Sequence, residues 1–438
     1  MKAFFSIFRL EFASLVRSFT LPLLAGAAVA WMFAVPQVIT GDGTLDGARE
    51  VYLRYGLGGV FALTLVSLLA SASGSFARER SEKRLQLTLV RPVRYQLLFL
   101  AKCAALTTAG AIVLALACLA SLSVPGENAE RVCYHVLRPS LPSPREEARA
   151  MYDAYMKDPD TPEEVKKASR STVMRLLEFR AVDHYQTIST NMVAVWRIDF
   201  SSVGKEPLSA EKGVPPAVRL RLSNMQDLRE DVAGYLSIGS LRASVSNQTQ
   251  AVLTFPLSPS SSASLSNRND VLSFTNLGDK PLMLRPRKDV ALLVPAGVYA
   301  FNLFRAWCEL VSMLALILSF GLFLSSALGR PVALFSAIVI LAVSEASPSV
   351  VSQYPDELET KLSDRIALTV TRFMAEVTRP VSSLNPLERL SLDECVEARE
   401  VCRVALMNIV LLPLVFAFIS SFVLPRKQDE ARSEEAHV

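Results

Sequence analysis

Five apolar stretches of this chain, each of twenty residues or more, carry no Asp, Glu, Lys or Arg: 18–41, 55–77, 103–126, 310–329 and 404–425. The hydrocarbon core of a bilayer, about 30 Å thick, is crossed by about 20 apolar residues in helical form. A chain with five such runs folds as an α-helical polytopic membrane protein. A sixth run, 331–351, is long enough if Glu345 sits near an interface, so six transmembrane helices are expected. The mean hydropathy of +0.31, with 51% hydrophobic residues, agrees with that class. The first run is too long for the apolar core of a secretion signal, Glu11 interrupts the segment before it, and further runs follow. It therefore reads as an uncleaved first span. Before it, Phe4, Phe8, Phe12 and Leu15 recur at helical spacing among Arg9, Glu11 and Arg17, the pattern of an interfacial helix.

Lys and Arg near span ends mark the cytoplasmic side. Lys2, Arg9 and Arg17, the cluster at 78–94, Arg330, and Arg426 with Lys427 all fall on one face if both termini are cytoplasmic. The expected organisation is then four segments. Residues 1–126 hold the interfacial helix, spans one to three and a cytoplasmic segment; 127–297 form an extracytoplasmic insert. Residues 298–425 hold spans four to six with an outer loop at 352–403, and 426–438 form a cytoplasmic tail. The location expected is the bacterial plasma membrane.

The insert is large enough for its own core. Ser143, Pro144 and Glu146, and again Thr161, Pro162 and Glu164, stand as N-cap, first and third helical residues. Two helices are expected there. The period then changes to two in "MVAVWRIDF", "AVRLRLS", "LRASVS" and "QAVLTFP", so an α+β domain of two helices and a β-sandwich is predicted. Trp196 alternates within a strand and reads as core, although His184, Tyr185 and Trp196 are residue types that bind sugars on sandwiches. In the loop 352–403, Leu358, Leu362, Ile366, Val370 and Phe373 predict an amphipathic helix. Ser391 with Glu394 predicts a cap for a helix entering the last span.

Sequence signals of catalysis are missing. There is no P-loop, H-E-x-x-H or G-x-S-x-G, and the six cysteines contain no CxxC. With three histidines, one of them in the tail, no metal or cofactor is expected. Glu309, in "RAWCELVS", is either a functional intramembrane carboxylate or an interface residue beside Arg305 and Trp307.

The cytoplasmic stretch "ARERSEKRLQLTLVRPVRYQ", 77–96, asks for more than topology. Leu85 and Leu89 are neighbours one turn apart, charges occupy the other faces, and Pro92 ends the helix by disfavouring helical geometry at Arg91. A stiff rod over 79–92 joining two spans is expected.

"ERSEKRLQLTLVRPVRYQLLFLAK" resembles the cytoplasmic segment of ABC-2 type transporter permeases, the membrane-spanning subunits of ABC transporters. That pattern opens with E-R, continues in leucines to P-V, and closes on leucines and lysine. Glu79 and Arg80 match its opening, Leu85, Leu87 and Leu89 its leucines, Pro92 and Val93 its P-V, and Lys102 its closing lysine. Ser81 stands for a third acidic residue and Lys83-Arg84 for Gly-Thr. "LEFASLVRS" is similar to the family's N-terminal motif through Glu11, Arg17 and Ser18, and "LFLSSALGRPVALFSAIVILA" to its fourth and fifth spans. The insert lies outside the family pattern.

The resemblance implies a coupling helix at 79–92 docking on a separate ATP-binding subunit through Glu79, Arg80, Leu85, Leu87, Leu89, Pro92 and Val93. It implies a second permease copy or paralogue, ATP bound only by the partner, and no enzymatic activity in this chain. Membrane lipid and an extracytoplasmic partner complete the expected contacts; nucleic acid is not among them. The rival reading is a non-transporting membrane sensor or assembly factor whose sandwich binds a glycan or protein. An intramembrane enzyme is the weakest of the three.

Overall fold

The computed structural model describes residues 2–39, 50–81, 94–122, 132–140, 144–159, 161–162, 169–198, 217–224, 231–238, 241–248, 252–256, 271–353, 369 and 386–423. The chain divides into two compact units, Met1–Arg131 with Val298–Val438, and Val132–Gly297.

The first unit is helical. Helix α1 (Lys2–Arg17) packs on later helices through Ile7, Phe12 and Leu15, of which Phe12 and Leu15 belong to the stripe its spacing predicts. Phe19, in left-handed backbone geometry at φ 57°, turns the chain into α2 (Thr20–Val38). A π-helical turn, Tyr52–Leu57, leads into α3 (Gly58–Ser81), and α4 (Tyr95–Ser121) follows.

Among the described residues five helices are long and apolar enough to cross a membrane: Thr20–Val38, Tyr52–Arg80, Tyr95–Ser121, Tyr299–Ala327 and Ala398–Val423. The stretch expected as a further span lies in the 24-residue helix Arg330–Gln353, in which Arg330–Ala342 is apolar.

Tyr299–Ala327 is the axis of this unit. It packs on α3, α4, Arg330–Gln353 and Ala398–Val423. Of its apolar window 72% is buried, against 22% for Ala398–Val423. A helix apolar around its whole circumference belongs inside. Small residues let backbones approach in such bundles. A Cβ at Gly110 would come within 2.2 Å of Leu314 Cδ2, and one at Gly321 within 2.6 Å of Leu69 Cδ1.

Polar contacts fix the two ends of the bundle. At one end the Tyr52 hydroxyl donates to Ala120 O, and Leu387 lies against Gly58. At the other the Phe76 N–H donates to Ser325 Oγ, and Arg330 lies against Gly74.

In the second unit α5 (Pro144–Lys157) begins on the expected proline. The helix expected to open on Thr161 and Pro162 runs into 163–168, which lie outside the described residues, and the next described helix follows them. It is α6, Arg170–Gln186, capped by Ser169 Oγ accepting from the Thr172 N–H. The Thr161 hydroxyl donates to Tyr155 O, closing the end of α5. Residues 143 and 164 lie outside the described residues.

Twelve described strands follow or precede these helices: β1 Val132–Leu137, β2 Pro139–Ser140, β3 Thr187–Ile188, β4 Val193–Ile198, β5 Ala217–Arg221, β6 Ser223–Asn224, β7 Asp231–Ile238, β8 Leu241–Gln248, β9 Val252–Pro256, β10 Val271–Asn276, β11 Leu282–Met283 and β12 Val290–Val298. Sheets of order β2-β4-β10-β7-β8, β1-β12-β5-β9 and β3-β11-β6 result. Trp196, Leu236 and Phe274 of the first share one core with Val218, Leu220 and Leu292 of the second, which makes the pair a sandwich. Trp196 is core, 3% exposed. The side chains of His184 and Tyr185 lie outside the described residues. Asn276 is buried and ties "NLGDKP" into a turn, donating to Ile188 O and Lys280 O and accepting from the Gly278 N–H.

After β12 come α7 (Tyr299–Ala327), α8 (Arg330–Gln353), α9 (Pro386–Ser391) and α10 (Ala398–Val423), the last with a π-helical turn at Leu406–Leu411. The expected cap at Ser391 is not made. Its hydroxyl donates back to Glu388 O, the chain crosses 392–397 without helix, and α10 starts at Ala398. The amphipathic helix expected at 358–373 falls outside the described residues, except Thr369.

Candidate functional site

Lys102 precedes an uncharged run by one residue and lies two turns inside α4, with 2% of its surface exposed. An ammonium group taken out of water must be paired and hydrogen-bonded. Its three donors all find acceptors. Nζ contacts Glu11 Oε1 from α1, Glu79 Oε1 from α3 at 2.7 Å, and Ser75 Oγ at 3.0 Å. It also sits 5.5 Å from the Phe76 ring centroid. One buried cation thus holds α1, the end of α3 and the start of α4 together.

Arg80, on the next residue of α3, points elsewhere. Its Nη2 donates to Ser325 O and Leu328 O, each at 3.1 Å, at the C-terminal end of α7. Carbonyls at a helix end lack intrahelical donors, and a guanidinium supplies them. The N–H groups of Phe76 and Ala77 donate to Ser325 Oγ, so α3 and α7 are stitched at one level.

Glu79 and Arg80 therefore occupy the final turn of α3, both used inside the bundle. Leu85, Leu87, Leu89, Pro92 and Val93 lie outside the described residues. The segment 82–93 leaves α3 beside this cluster and rejoins at Arg94, which precedes α4. Glu79 and Lys102 join its two roots directly.

The opposite end of the bundle is built differently. Asn302, Arg305 and Glu309 lie at i, i+3 and i+7 on α7, one face of the helix. Asn302 Nδ2 donates to Glu394 O at 2.9 Å and its Oδ1 accepts from the Val396 N–H at 2.7 Å. Arg305 donates to Val396 O at 3.0 Å. Segment 386–397 is thereby fastened across the first turns of α7 as a cap. Glu309, next on that face, is 1% exposed, and neither of its oxygens has a hydrogen-bond partner among the described residues. Its carboxylate lies inside the protein. Arg389 of the cap pairs with Glu400 at 2.6 Å. Burial works against the Arg389 charge, but the hydrogen bond and charge of Glu400, with Glu309 and Glu394, outweigh it and raise its pKa.

Sequence reading singled out Glu11, Glu79 and Lys102 only as separate motif letters. The signal available was Lys102 itself, a lone charge at the edge of an apolar run, which demands a carboxylate. Asn302 and the cap had no sequence signal, because their bonds run to backbone atoms ninety residues away. No His/Cys/Asp/Glu group suited to a metal occurs among the described residues. Comparison of the chain with protein-family models, with curated proteins and with solved structures returns no match.

Proposed function

We propose that this chain is the permease subunit of an ABC-2 type transporter, forming the translocation path and driven by a separate ATP-binding subunit. One observation carries the reading. The letters on which the resemblance rests come from three distant stretches, and they meet in one place: Glu11, Glu79 and Lys102 share an ion cluster, while Arg80 and Arg330 brace the turn between α7 and α8. A docking segment is useful only if displacement at 82–93 reaches the membrane helices. Cross-bracing of its two roots supports that role, since packed, hydrogen-bonded elements carry such coupling.

In this reading six spans cross the cell membrane, α8 being the fifth, and both termini are cytoplasmic. Two permease chains pair with two ATPase subunits, whose closure pushes on 79–92. The ion cluster passes the push to α1, and Arg80 passes it to α7.

Copurification with the ATPase encoded beside this chain tests the proposal. Wild type retains the ATPase, and Leu85→Asp or Pro92→Ala releases it. Scrambling 82–93 at constant charge releases it too. Retention by the scrambled chain, or no retention by wild type, sinks the reading.

A second reading has its own observation. On the outward face of the five-stranded sheet, Val193 and Val195 of β4 and Tyr235 of β7 are 54%, 59% and 49% exposed. They flank Ser273 and Thr275 of β10 in register. Such an apolar strip favours a sandwich that binds a protein or glycan, as in a sensor or assembly factor. In that case the strip is essential to function and the order of residues 82–93 is not.

A further inference from the structure

Glu309 is the one carboxylate on α7, it is buried, and neither of its oxygens finds a hydrogen-bond partner among the described residues. The charges around it come from three elements. Arg305 precedes it by one turn on α7, and its Nη1 is engaged by the cap. From the cap come Arg389 and Glu394, and from α10 Glu400. Arg389 is held by Glu400 through both Nη atoms, at 2.6 and 3.5 Å. Arg389, already engaged, therefore has three carboxylates about it, and Glu309 is the one whose oxygens are bare. A buried carboxylate in an acid-rich recess attracts a cation that brings its own donors.

The neighbouring face of α7 says what kind of molecule carries that cation. Phe301 and Phe304 are 61% and 55% exposed, and Phe304 stacks on Trp307 at 5.6 Å between centroids. Head-group chemistry and chain chemistry thus lie side by side along two turns of one helix. We propose that Glu309 binds the ammonium group of an amphiphile, whose apolar chain lies against the Phe301–Phe304 face, beneath the 386–397 cap. The inference rests on the permease reading and deepens it by giving the substrate class, an amine-bearing amphiphile. Its donors meet the two oxygens of Glu309, and the cap's bonds to Asn302 and Arg305 close over it.

The test uses the full-length chain in nanodiscs with a dansyl-labelled long-chain primary amine, read by energy transfer from tryptophan. Wild type binds the amine saturably, and the matching long-chain alcohol at least tenfold more weakly. Glu309→Gln, which keeps shape and removes charge, loses at least tenfold in amine affinity and leaves the alcohol unchanged. Glu309→Asp keeps part of the amine binding. The amine raises the melting temperature of wild type and not of Glu309→Gln. Displacement by an ethanolamine phospholipid assigns the site to a lipid head group, and displacement only by a free alkylamine assigns it to a soluble amphiphile. Equal binding of amine and alcohol, or undiminished amine binding by Glu309→Gln, overturns the proposal. The ATPase copurification experiment does not depend on Glu309, so failure of one reading is separable from failure of the other.

Discussion

The two ends of the helical unit handle buried charge in opposite ways. At the end near 82–93, Lys102 has two carboxylates and a hydroxyl on its three donors, and Arg80 caps two carbonyls. At the end near the cap, Asn302 is satisfied but Glu309 is bare. A closed network holds elements in fixed relation, whereas an open one costs free energy until something fills it. The first end suits force transmission and the second suits binding. Loss of a partner should therefore damage the first end more than the second.

Lys102→Met is expected to do the most harm. It leaves Glu11 and Glu79 facing each other without a cation, a loss of about 3–5 kcal/mol. Thermal unfolding of the detergent-solubilised chain measures it, and a melting temperature equal to wild type would show that the cluster is not structural. Adding Glu11→Gln and Glu79→Gln to that variant recovers much of the loss, since the uncompensated charges go with the cation.

Arg80→Ala removes two charge-assisted bonds to the end of α7, worth about 1.5–3 kcal/mol. Proteolysis at the α7–α8 turn near Gly329 reports the loosening. Unchanged cleavage there would break the idea that Arg80 clamps that turn. Asn302→Ala acts at the other end and strips the cap of two buried bonds, roughly 1–2 kcal/mol. Cys395, half-buried in the cap, then reacts faster with a maleimide, while Cys103, buried in α4, stays unreactive. Equal rates in wild type and variant would mean that the cap is held elsewhere.

Glu309→Gln is expected to have the smallest effect and the opposite sign. Removing an unpartnered buried charge leaves the apo chain as stable as wild type, or stabilises it by about 1 kcal/mol. A destabilisation comparable to Lys102→Met would make the two ends alike and remove the basis for a binding site.

Legibility follows the range of the interaction. Runs of uncharged residues announced the membrane-type helices because length and hydropathy are local properties. The change to period two announced strands β4, β5, β8 and β9, and the position of Trp196 within β4 announced its burial. Pro144 gave the start of α5 because proline fixes its own φ. Ser391 misled because a Ser hydroxyl closes a helix end as readily as it opens a helix. Its Oγ reaches back to Glu388 O.

By itself the sequence determined that the chain is an apolar, multi-helix protein interrupted by a polar α+β insert. It also placed a charged stretch, 77–96, between two apolar runs. Only the tertiary structure decided which charges meet. Glu11, Glu79 and Lys102 are separated by 68 and 23 residues, as are Arg80 and Leu328 by 248. Hydropathy places each residue on a helix and near an end, but it does not say which helix end stands beside which. Packing settles that, through the close approaches at Gly110 and Gly321 that set α3, α4 and α7 in register. It leaves Lys102 fully paired and Glu309, on the axis of the same bundle, with none.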